Sequence, residues 1–331
     1  MKKIILFLAA AVALYSCSKT AGMNPAAVSG QALLPTATIT PTGKDWEITN
    51  TLNAFSGRAF FCLVAAKEKA YFSAGRTEKG KTAEVWESET GDLWKKIDAL
   101  PGFAARDMHT MLAHDNKIWI IAGYGKDPLA DVWCSDDGNT WESKTDEAGF
   151  GKRYGHASVV YNGKMWVIAG TDGKEFYNDS WSSKGGSRWE RAKENDEQGF
   201  APRSGHGAFV MKNRVWLAGG EGKDGLLNDI WYSENGADWK MATKNAAFSP
   251  RKNMAVLVFN GRAWIIGGEN AEGAAFPEVW WSDDCVTWKR STEDAAFGKR
   301  KGIAAMAFNN RIFVIGGLGE KGYGKDVWYC E

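Results

Sequence analysis

This sequence has few cysteines and histidines, and it has almost no excess of either charge. Each of these features argues against a class of protein. The 331 residues include four histidines and five cysteines without a paired Cys-x-x-Cys spacing, so we expect no structural metal site and no cofactor. The 41 basic and 40 acidic residues leave a formal net charge of +1. A chain this close to neutral has no strongly basic surface, which argues against a nucleic acid partner.

Long apolar runs are scarce as well, and beyond residue 14 none approaches the length of a membrane-spanning helix. Lys2 and Lys3 precede an apolar stretch over residues 4–14, a combination typical of a secretory signal peptide. Removing both lysines takes the net charge from +1 to −1. The next residues, Leu-Tyr-Ser-Cys ending at Cys17, resemble the lipobox of bacterial lipoproteins. That resemblance implies a lipidated Cys17; the alternative is an ordinary signal peptide with an incidental cysteine.

The N-terminal segments therefore divide into a signal peptide over residues 1–16 and a tether over residues 17–43, rich in Ala, Thr, Pro and Ser. Acyl chains anchor a protein without spanning the membrane. We expect a protein of the bacterial cell envelope, and Ser18 is compatible with sorting to the outer membrane by resemblance to known lipoproteins. Periplasmic and surface-exposed locations both stay open. An oxidising compartment permits disulfides, but we expect the remaining cysteines to be unpaired: Cys62, Cys134, Cys285 and Cys330.

From residue 44 onward the chain repeats itself six times. Each copy contains a Phe-x-x-Arg step, and successive arginines are 47 to 50 residues apart. The arginines are Arg58, Arg106, Arg153, Arg203, Arg251 and Arg300. Each copy also contains an acid two residues before a tryptophan, as in Asp179 and Trp181. All tryptophans except Trp281 occupy repeat positions, so their abundance indicates packing and is not a sign of a ligand site.

Each copy predicts four antiparallel strands, a to d. In the third copy strand a covers residues 156–161, strand b residues 164–170 and strand c residues 179–183. The Asn162-Gly163 turn between strands a and b favours a type I′ hairpin. A glycine-containing small pair ends strand b in every copy, where backbone approaches backbone closely.

Four antiparallel strands with a period near 48 residues are typical of β-propeller blades. The glycine pair and the spaced tryptophans resemble the kelch repeat over residues 44–331. We therefore predict an all-β, six-bladed β-propeller and a monomer. The sixth copy stops at Glu331, before its second tryptophan, and Trp46 lies 48 residues before Trp94. An N-terminal strand should thus complete the last blade and close the ring.

A weaker likeness concerns the turn between strands c and d. The segments 135–141 and 282–288 look like a shortened Asp-box turn of sialidases. That turn is structural in those enzymes, and we expect its Asp or Asn side chain to bind turn backbone here as well.

The predicted connectivity separates an upper face, with the b–c loops and d–a connections, from a lower face with the a–b hairpins and c–d turns. The six arginines and six acids all lie at the upper side. The arginines are candidates for an anion-binding ring. Ion pairs between these arginines and the acids, which would join neighbouring strands, explain such strict repetition better.

His109, His156 and His206 each follow one of the arginines by three residues. Three imidazoles on adjacent inner strands are candidate metal ligands. Other copies hold Phe61, Met254 and Ile303 in this slot, which favours packing.

The b–c loops differ from one another, unlike the strands, and most carry an apolar group suited to stacking on a sugar or a protein. Our candidates for ligand contact in these loops are Tyr124, Phe176, Tyr177, Leu226, Phe276 and Tyr323.

These features predict a lipid-anchored binding module for a protein or glycan, with the upper face as its ligand surface. The alternative is a carbohydrate-active enzyme similar to the kelch-like sialic-acid mutarotase, which needs a positioned acid or base. Glu221 and Glu269, directly after Gly-Gly pairs, come closest to such a group. A copper centre of the galactose oxidase type finds no matching set of ligands.

Overall fold

A computed structural model describes residues 42–49 and 54–331, which form six four-stranded antiparallel sheets and two short hairpins. The predicted signal peptide, Cys17 and nearly all of the predicted tether lie outside the described residues. Among the residues described, no helix has the length and apolar character needed to cross a membrane.

The strands are short and evenly spaced along the chain. The first fourteen are β1 (Glu47–Ile48), β2 (Cys62–Ala66), β3 (Lys69–Ser73), β4 (Arg76–Thr77), β5 (Gly80–Lys81), β6 (Val85–Ser88), β7 (Lys95–Ile97), β8 (Thr110–His114), β9 (Lys117–Tyr124), β10 (Pro128–Ser135), β11 (Trp141–Thr145), β12 (Ala157–Tyr161), β13 (Lys164–Thr171) and β14 (Phe176–Ser183). The others are β15 (Glu190–Lys193), β16 (Gly207–Met211), β17 (Arg214–Gly222), β18 (Gly225–Ser233), β19 (Trp239–Thr243), β20 (Ala255–Phe259), β21 (Arg262–Ile266), β22 (Val279–Ser282), β23 (Lys289–Thr292), β24 (Ala304–Phe308), β25 (Arg311–Ile315), β26 (Leu318–Gly319), β27 (Gly322–Tyr323) and β28 (Val327–Cys330).

Each sheet is one blade, with strands a to d in that order. Blade 1 contains β2, β3, β6 and β7; blades 2 to 5 contain β8–β11, β12–β15, β16–β19 and β20–β23; blade 6 contains β24, β25, β28 and β1. The hairpins β4–β5 and β26–β27 lie in the b–c loops of blades 1 and 6. The inner strands contact one another in a closed circuit, β2–β8–β12–β16–β20–β24–β2, which confirms the predicted six-bladed propeller.

The N-terminal strand closes the ring as predicted. β1 pairs antiparallel with β28, with Glu47 opposite Tyr329 and Ile48 opposite Trp328. Trp46 precedes this strand, and its Nε1 donates to the Gly43 carbonyl at 2.9 Å. The same bond joins the corresponding tryptophan and glycine in other blades, for example Trp189 and Gly186 at 2.9 Å.

All six a–b hairpins turn through two residues with positive φ, the backbone of a type I′ turn. Asn-Gly, Asn-Asn and Asp-Asn pairs suit this conformation. The Lys67-Glu68 and Lys212-Asn213 turns adopt this conformation as well, although their residue types do not predict it.

The hydrophobic core consists of six clusters, each between two neighbouring blades. In each, the aromatic residue of strand b packs against the c–d turn of the next blade. Trp119 of blade 2, for example, packs so closely on Gly186 of blade 3 that a Cβ there would lie 2.3 Å from its ring. Small residues at these turns therefore let the wedge-shaped blades meet.

The segments 135–141 and 282–288 lie at the c–d turns of blades 2 and 5. The Asp137 carboxylate accepts hydrogen bonds from the backbone N–H groups of Asn139 and Thr140, at 2.8 and 2.9 Å. Asp284 binds its own turn in the same way. These side chains have the structural role expected for them, on the lower face.

A closed ring of backbone hydrogen bonds surrounds the propeller axis just below the upper face. Each blade contributes one residue, two positions after its arginine, and the N–H of each donates to the carbonyl of the residue in the preceding blade at 2.7 to 3.0 Å. All six have positive φ. We call this the axial ring; its members are Phe60, Met108, Gly155, Gly205, Asn253 and Gly302.

Candidate functional site

The six arginines of the repeat are bound inside the blades. Each forms an ion pair of 2.5 to 2.8 Å with an acid that lies in strand c of its own blade or directly before it. Each Nη1 also donates to the carbonyl 16 residues further along, at the end of strand b. The acid in turn accepts from the tryptophan two residues after it. Strands a, b and c are thereby joined at one point, so the expected structural pairing is confirmed.

This arrangement leaves the arginines poorly placed for anion binding. Five of the six are at most 2% exposed: Arg58, Arg106, Arg153, Arg203 and Arg251. Arg300 is similarly bound, to Asp326 and to the Gly316 carbonyl. In blade 1, burial raises the pKa of Glu84, but hydrogen bonds from Lys96 and Arg58 outweigh it and bring the pKa to about 2. The pair is therefore charged throughout the physiological range.

The three repeated histidines line the central channel and are buried. His109 Nε2 lies 3.1 Å from Ser73 Oγ, and His156 Nε2 lies 2.9 Å from Thr110 Oγ1. Neither ring nitrogen of His206 makes a hydrogen bond of standard geometry. Burial, together with the nearby arginines, lowers the pKa of His156 to about 3 and those of the other two well below the usual value. All three are thus neutral at pH 7.

Metal binding by these histidines finds no support. Within residues 42–49 and 54–331, no three His, Cys, Asp or Glu side chains are grouped so that they could hold a metal ion. The four cysteines in the same ranges are free thiols. Cys62 faces the channel cavity of about 230 Å³, and burial raises its pKa to about 12, so this thiol is unreactive at neutral pH.

Several of the candidate loop residues fold back over the blades. The Tyr177 ring lies 4.7 Å from the Arg153 guanidinium carbon, and the Phe276 ring lies 4.2 Å from that of Arg251. Tyr323 packs against Gly57, and Leu226 pairs with Glu221 at the end of strand b. Phe176 lines a pocket on the upper face together with Tyr154, and Tyr124 packs against that tyrosine.

The mouth itself is built from two further repeat positions, which we call the rim. One rim residue follows each arginine and the other follows each small pair, and the two are bridged through their backbones within a blade. The rim residues are Ala59 and Arg76, Asp107 and Tyr124, Tyr154 and Thr171, Ser204 and Glu221, Lys252 and Glu269, and Lys301 and Leu318. The sequence analysis did not identify the rim as a set of repeat positions. The signal that could have identified it is that the residue after each arginine varies between copies, whereas the arginine itself does not.

Rim side chains of neighbouring blades are chemically matched. Ion pairs join Arg76 to Asp107 at 2.6 Å, Lys252 to Glu221 at 2.7 Å and Lys301 to Glu269 at 2.7 Å. The next junction is aromatic, with the Tyr124 and Tyr154 ring centroids 5.0 Å apart. Small or apolar residues occupy the remaining two junctions: Thr171 and Ser204, Leu318 and Ala59.

A pocket of about 270 Å³ opens at the junction of blades 3 and 4, where Thr171 and Ser204 leave the rim incomplete. We call it the rim pocket. Tyr154, Phe176 and Met108 form an apolar side. Glu221, Lys252 and Asn253 form a polar side, and Lys174 lies at the edge.

Six blades in a closed ring, each with the same arginine, acid and tryptophan set and a small pair after its second strand, define a Kelch-type β-propeller. Residues 60–234 and 141–290 match the KLHDC2/KLHL20/DRC7 Kelch-repeats domain, and the chain belongs to this family. No curated protein matches the chain. Kelch propellers are a common protein-interaction module.

Proposed function

We propose that this protein is a lipid-anchored, extracytoplasmic binding module whose protein or glycan ligand docks on the upper face. The observation that carries the proposal is the rim pocket, a concave site with one apolar and one polar side where the sixfold pattern is broken. Binding sites are characteristically concave, largely apolar and equipped with a few polar groups. The common use of Kelch propellers in protein interaction supports a binding role.

The sequence supports the anchor through the signal peptide and Cys17. The first described residue is Thr42, whose carbonyl accepts a hydrogen bond from Ser291 Oγ in strand d of blade 5. Its neighbour Gly43 packs on Trp264 of blade 5, as the c–d turn glycines of other blades pack on strand b of the blade before them. The c–d turns belong to the lower face. An anchor joined there leaves the upper face free for a ligand, and the outer membrane is the membrane we propose.

Catalysis is the less favoured function because the histidines of the channel are not poised for proton transfer and the rim acids Glu221 and Glu269 are bound in ion pairs. A general acid or base works best with a pKa near the operating pH. The three buried histidines are neutral, with pKa values far below 7. Glu221 is paired with Lys252, and Glu269 with Lys301 and Asn253.

The anchor is tested by expressing the full chain and Cys17→Ser in a bacterium with two membranes. Radiolabelled palmitate should enter the wild-type protein and co-sediment with the outer membrane, whereas Cys17→Ser should be unlabelled and soluble. Equal distribution of the two proteins would contradict the anchor.

The binding role is tested with the full-length Cys17→Ser protein by capture from envelope extracts and on a glycan array. Binding should be lost on replacing Tyr154 and Phe176 with alanine, and retained in Lys184→Ala on the lower face. A ligand equally sensitive to both changes, or no ligand at all, would argue against the upper face. Interconversion of sialic-acid anomers by the same protein would favour the enzyme instead.

A further inference from the structure

We propose that the rim pocket receives one neutral sugar residue of a glycan. This proposal rests on the binding function proposed above and assigns the chemical class of the ligand. It is argued from the size of the pocket, its two sides and its charge.

The size of the pocket limits the ligand to a single ring. Its volume of about 270 Å³ is below the roughly 300–1,000 Å³ of drug-sized ligand sites. The space exists because Thr171 and Ser204 are the rim residues here and because the axial-ring member Gly205 has no side chain.

The apolar side offers a preformed aromatic surface. Tyr154 packs against Tyr124 at 5.0 Å between centroids, and Lys81 Nζ lies 3.5 Å from the Tyr124 ring centroid on that ring's face. Tyr154 is thus held in place before any ligand arrives, which reduces the entropic cost of binding. An aromatic ring of this kind packs well against the C–H face of a sugar.

The polar side presents a donor and an acceptor next to each other. Lys252 Nζ and Glu221 Oε2 are 2.7 Å apart, and their side chains remain 24% and 35% exposed. Neighbouring hydroxyls of a sugar ring both donate and accept hydrogen bonds, so they match this ion pair. The Ser204 hydroxyl belongs to the same pocket.

The ion pair of the pocket favours a neutral ligand. Glu221 and Lys252 compensate each other, and Lys174 adds one positive charge. A cationic side chain would meet the ammonium groups of Lys252 and Lys174, and a carboxylate could bind Lys252 only in competition with Glu221. Desolvating an unpaired charge is costly, whereas a neutral polyol leaves the ion pair intact.

The test uses full-length Cys17→Ser protein with methyl glycosides of glucose, galactose, mannose and N-acetylglucosamine. Saturation-transfer NMR identifies the glycoside that binds, and calorimetry measures its affinity. The anion N-acetylneuraminate and the cation Nα-acetyl-lysinamide serve as charged probes. We expect at least one neutral glycoside to bind more tightly than either charged probe.

Five variants locate the site. Tyr154→Ala and Glu221→Gln should each weaken binding of the glycoside by about tenfold, and Ser204→Leu should block it by filling the pocket. Arg76→Gln, which changes the rim ion pair at the junction of blades 1 and 2, should leave affinity within about twofold. Thermal unfolding of each variant verifies that it is folded, and Tyr154→Phe, which keeps the aromatic surface, should retain binding.

The possible outcomes distinguish a failure of the sugar assignment from a failure of the proposed binding function. If no neutral glycoside binds but a captured protein depends on Tyr154, the sugar assignment is wrong and the binding module stands. Preferential binding of either charged probe would also overturn the assignment. If neither glycoside nor protein binds in a manner that depends on the upper face, both proposals fail.

Discussion

Arg203 and Asp229 form a two-pronged ion pair inside blade 4, with Nη1 2.6 Å from Oδ1 and Nη2 2.8 Å from Oδ2. Asp229 also accepts from Trp231 Nε1 at 2.7 Å. Replacing Asp229 with alanine leaves a buried guanidinium without its counter-charge, which typically costs about 3–5 kcal/mol. Chemical denaturation of Asp229→Ala should show a loss of that size.

The control for this pair is Glu234→Ala, which breaks the exposed pair between Arg214 and Glu234 at 2.7 Å. Exposed pairs contribute about 0–1 kcal/mol. The double variant Arg203→Met with Asp229→Leu should recover much of the lost stability, since an apolar replacement of both partners is often neutral. Equal losses in Asp229→Ala and Glu234→Ala would contradict the structural importance of the buried pair.

A second prediction concerns the contact between blades 2 and 3. Gly186 has a φ of 76° and a Cβ there would lie 2.3 Å from the Trp119 ring. Gly186→Ala should therefore destabilise the protein by about 1–3 kcal/mol through overpacking and about 1–2 kcal/mol through its left-handed backbone. The adjacent Gly185→Ala meets no atom within 4 Å and should change the melting temperature little; similar shifts in both variants would refute the blade contact.

A third prediction concerns ring closure. Trp46 is 6% exposed and meets the Phe297 ring edge-on at 5.1 Å between centroids. Trp46→Ala should cost about 3–5 kcal/mol. Because the change acts on blade 6, hydrogen exchange should accelerate first in β28 rather than uniformly.

The matched control is Leu100→Ala, which truncates a side chain that is 95% exposed. Its stability should stay within about 0.5 kcal/mol of the parent protein. Uniform acceleration of exchange across all blades in Trp46→Ala would count against local closure by the N-terminal strand.

A fourth prediction concerns pH. Burial, with smaller contributions from Arg203 and His156, lowers the pKa of His206 well below its usual value. Below the unfolded-state pKa of about 6.5, the unfolded chain binds a proton that the folded chain does not. Stability therefore falls as the pH drops from about 6.5 towards the folded-state pKa, by up to about 1.4 kcal/mol per pH unit for this histidine.

His206→Met tests this dependence, since methionine already occupies the slot at Met254 in the next blade. The variant should lose less stability between pH 6.5 and 5 when unfolding is followed in urea. At pH 8 it should be at least as stable as the parent, because two buried ring nitrogens that make no hydrogen bond of standard geometry are removed. An unchanged slope between pH 6.5 and 5 would show that His206 does not titrate as proposed.

The four-stranded blade and the number of blades could be predicted from the sequence because the same weak pattern occurs six times. One Phe-x-x-Arg step or one Asn-Gly turn indicates little, but six copies in register specify strands, hairpins and the ring. Even the closing strand followed from the position of Trp46 relative to Trp94. The internal role of the arginines followed from the same argument, because a residue present in every blade serves what every blade has in common.

The rim pocket could not be predicted in this way. Its polar side depends on Lys252 reaching Glu221, and its aromatic side on Tyr154 meeting Tyr124. Each of these contacts crosses from one blade to the next between residues about thirty positions apart, with no local pattern to mark it. Phe176 was identified from its loop, whereas Tyr154 was missed because it lies next to a structural arginine.

The pairing of β1 with β28 sets an order on the folding of a newly made chain. Five blades are each formed from contiguous sequence, whereas the sixth joins residues separated by about 280 positions, such as Glu47 and Tyr329. Until β28 is synthesised, β1 has no partner strand and the last blade presents an open edge, which invites pairing with other chains. A growing chain of this protein is therefore most vulnerable to aggregation just before its last strand is complete.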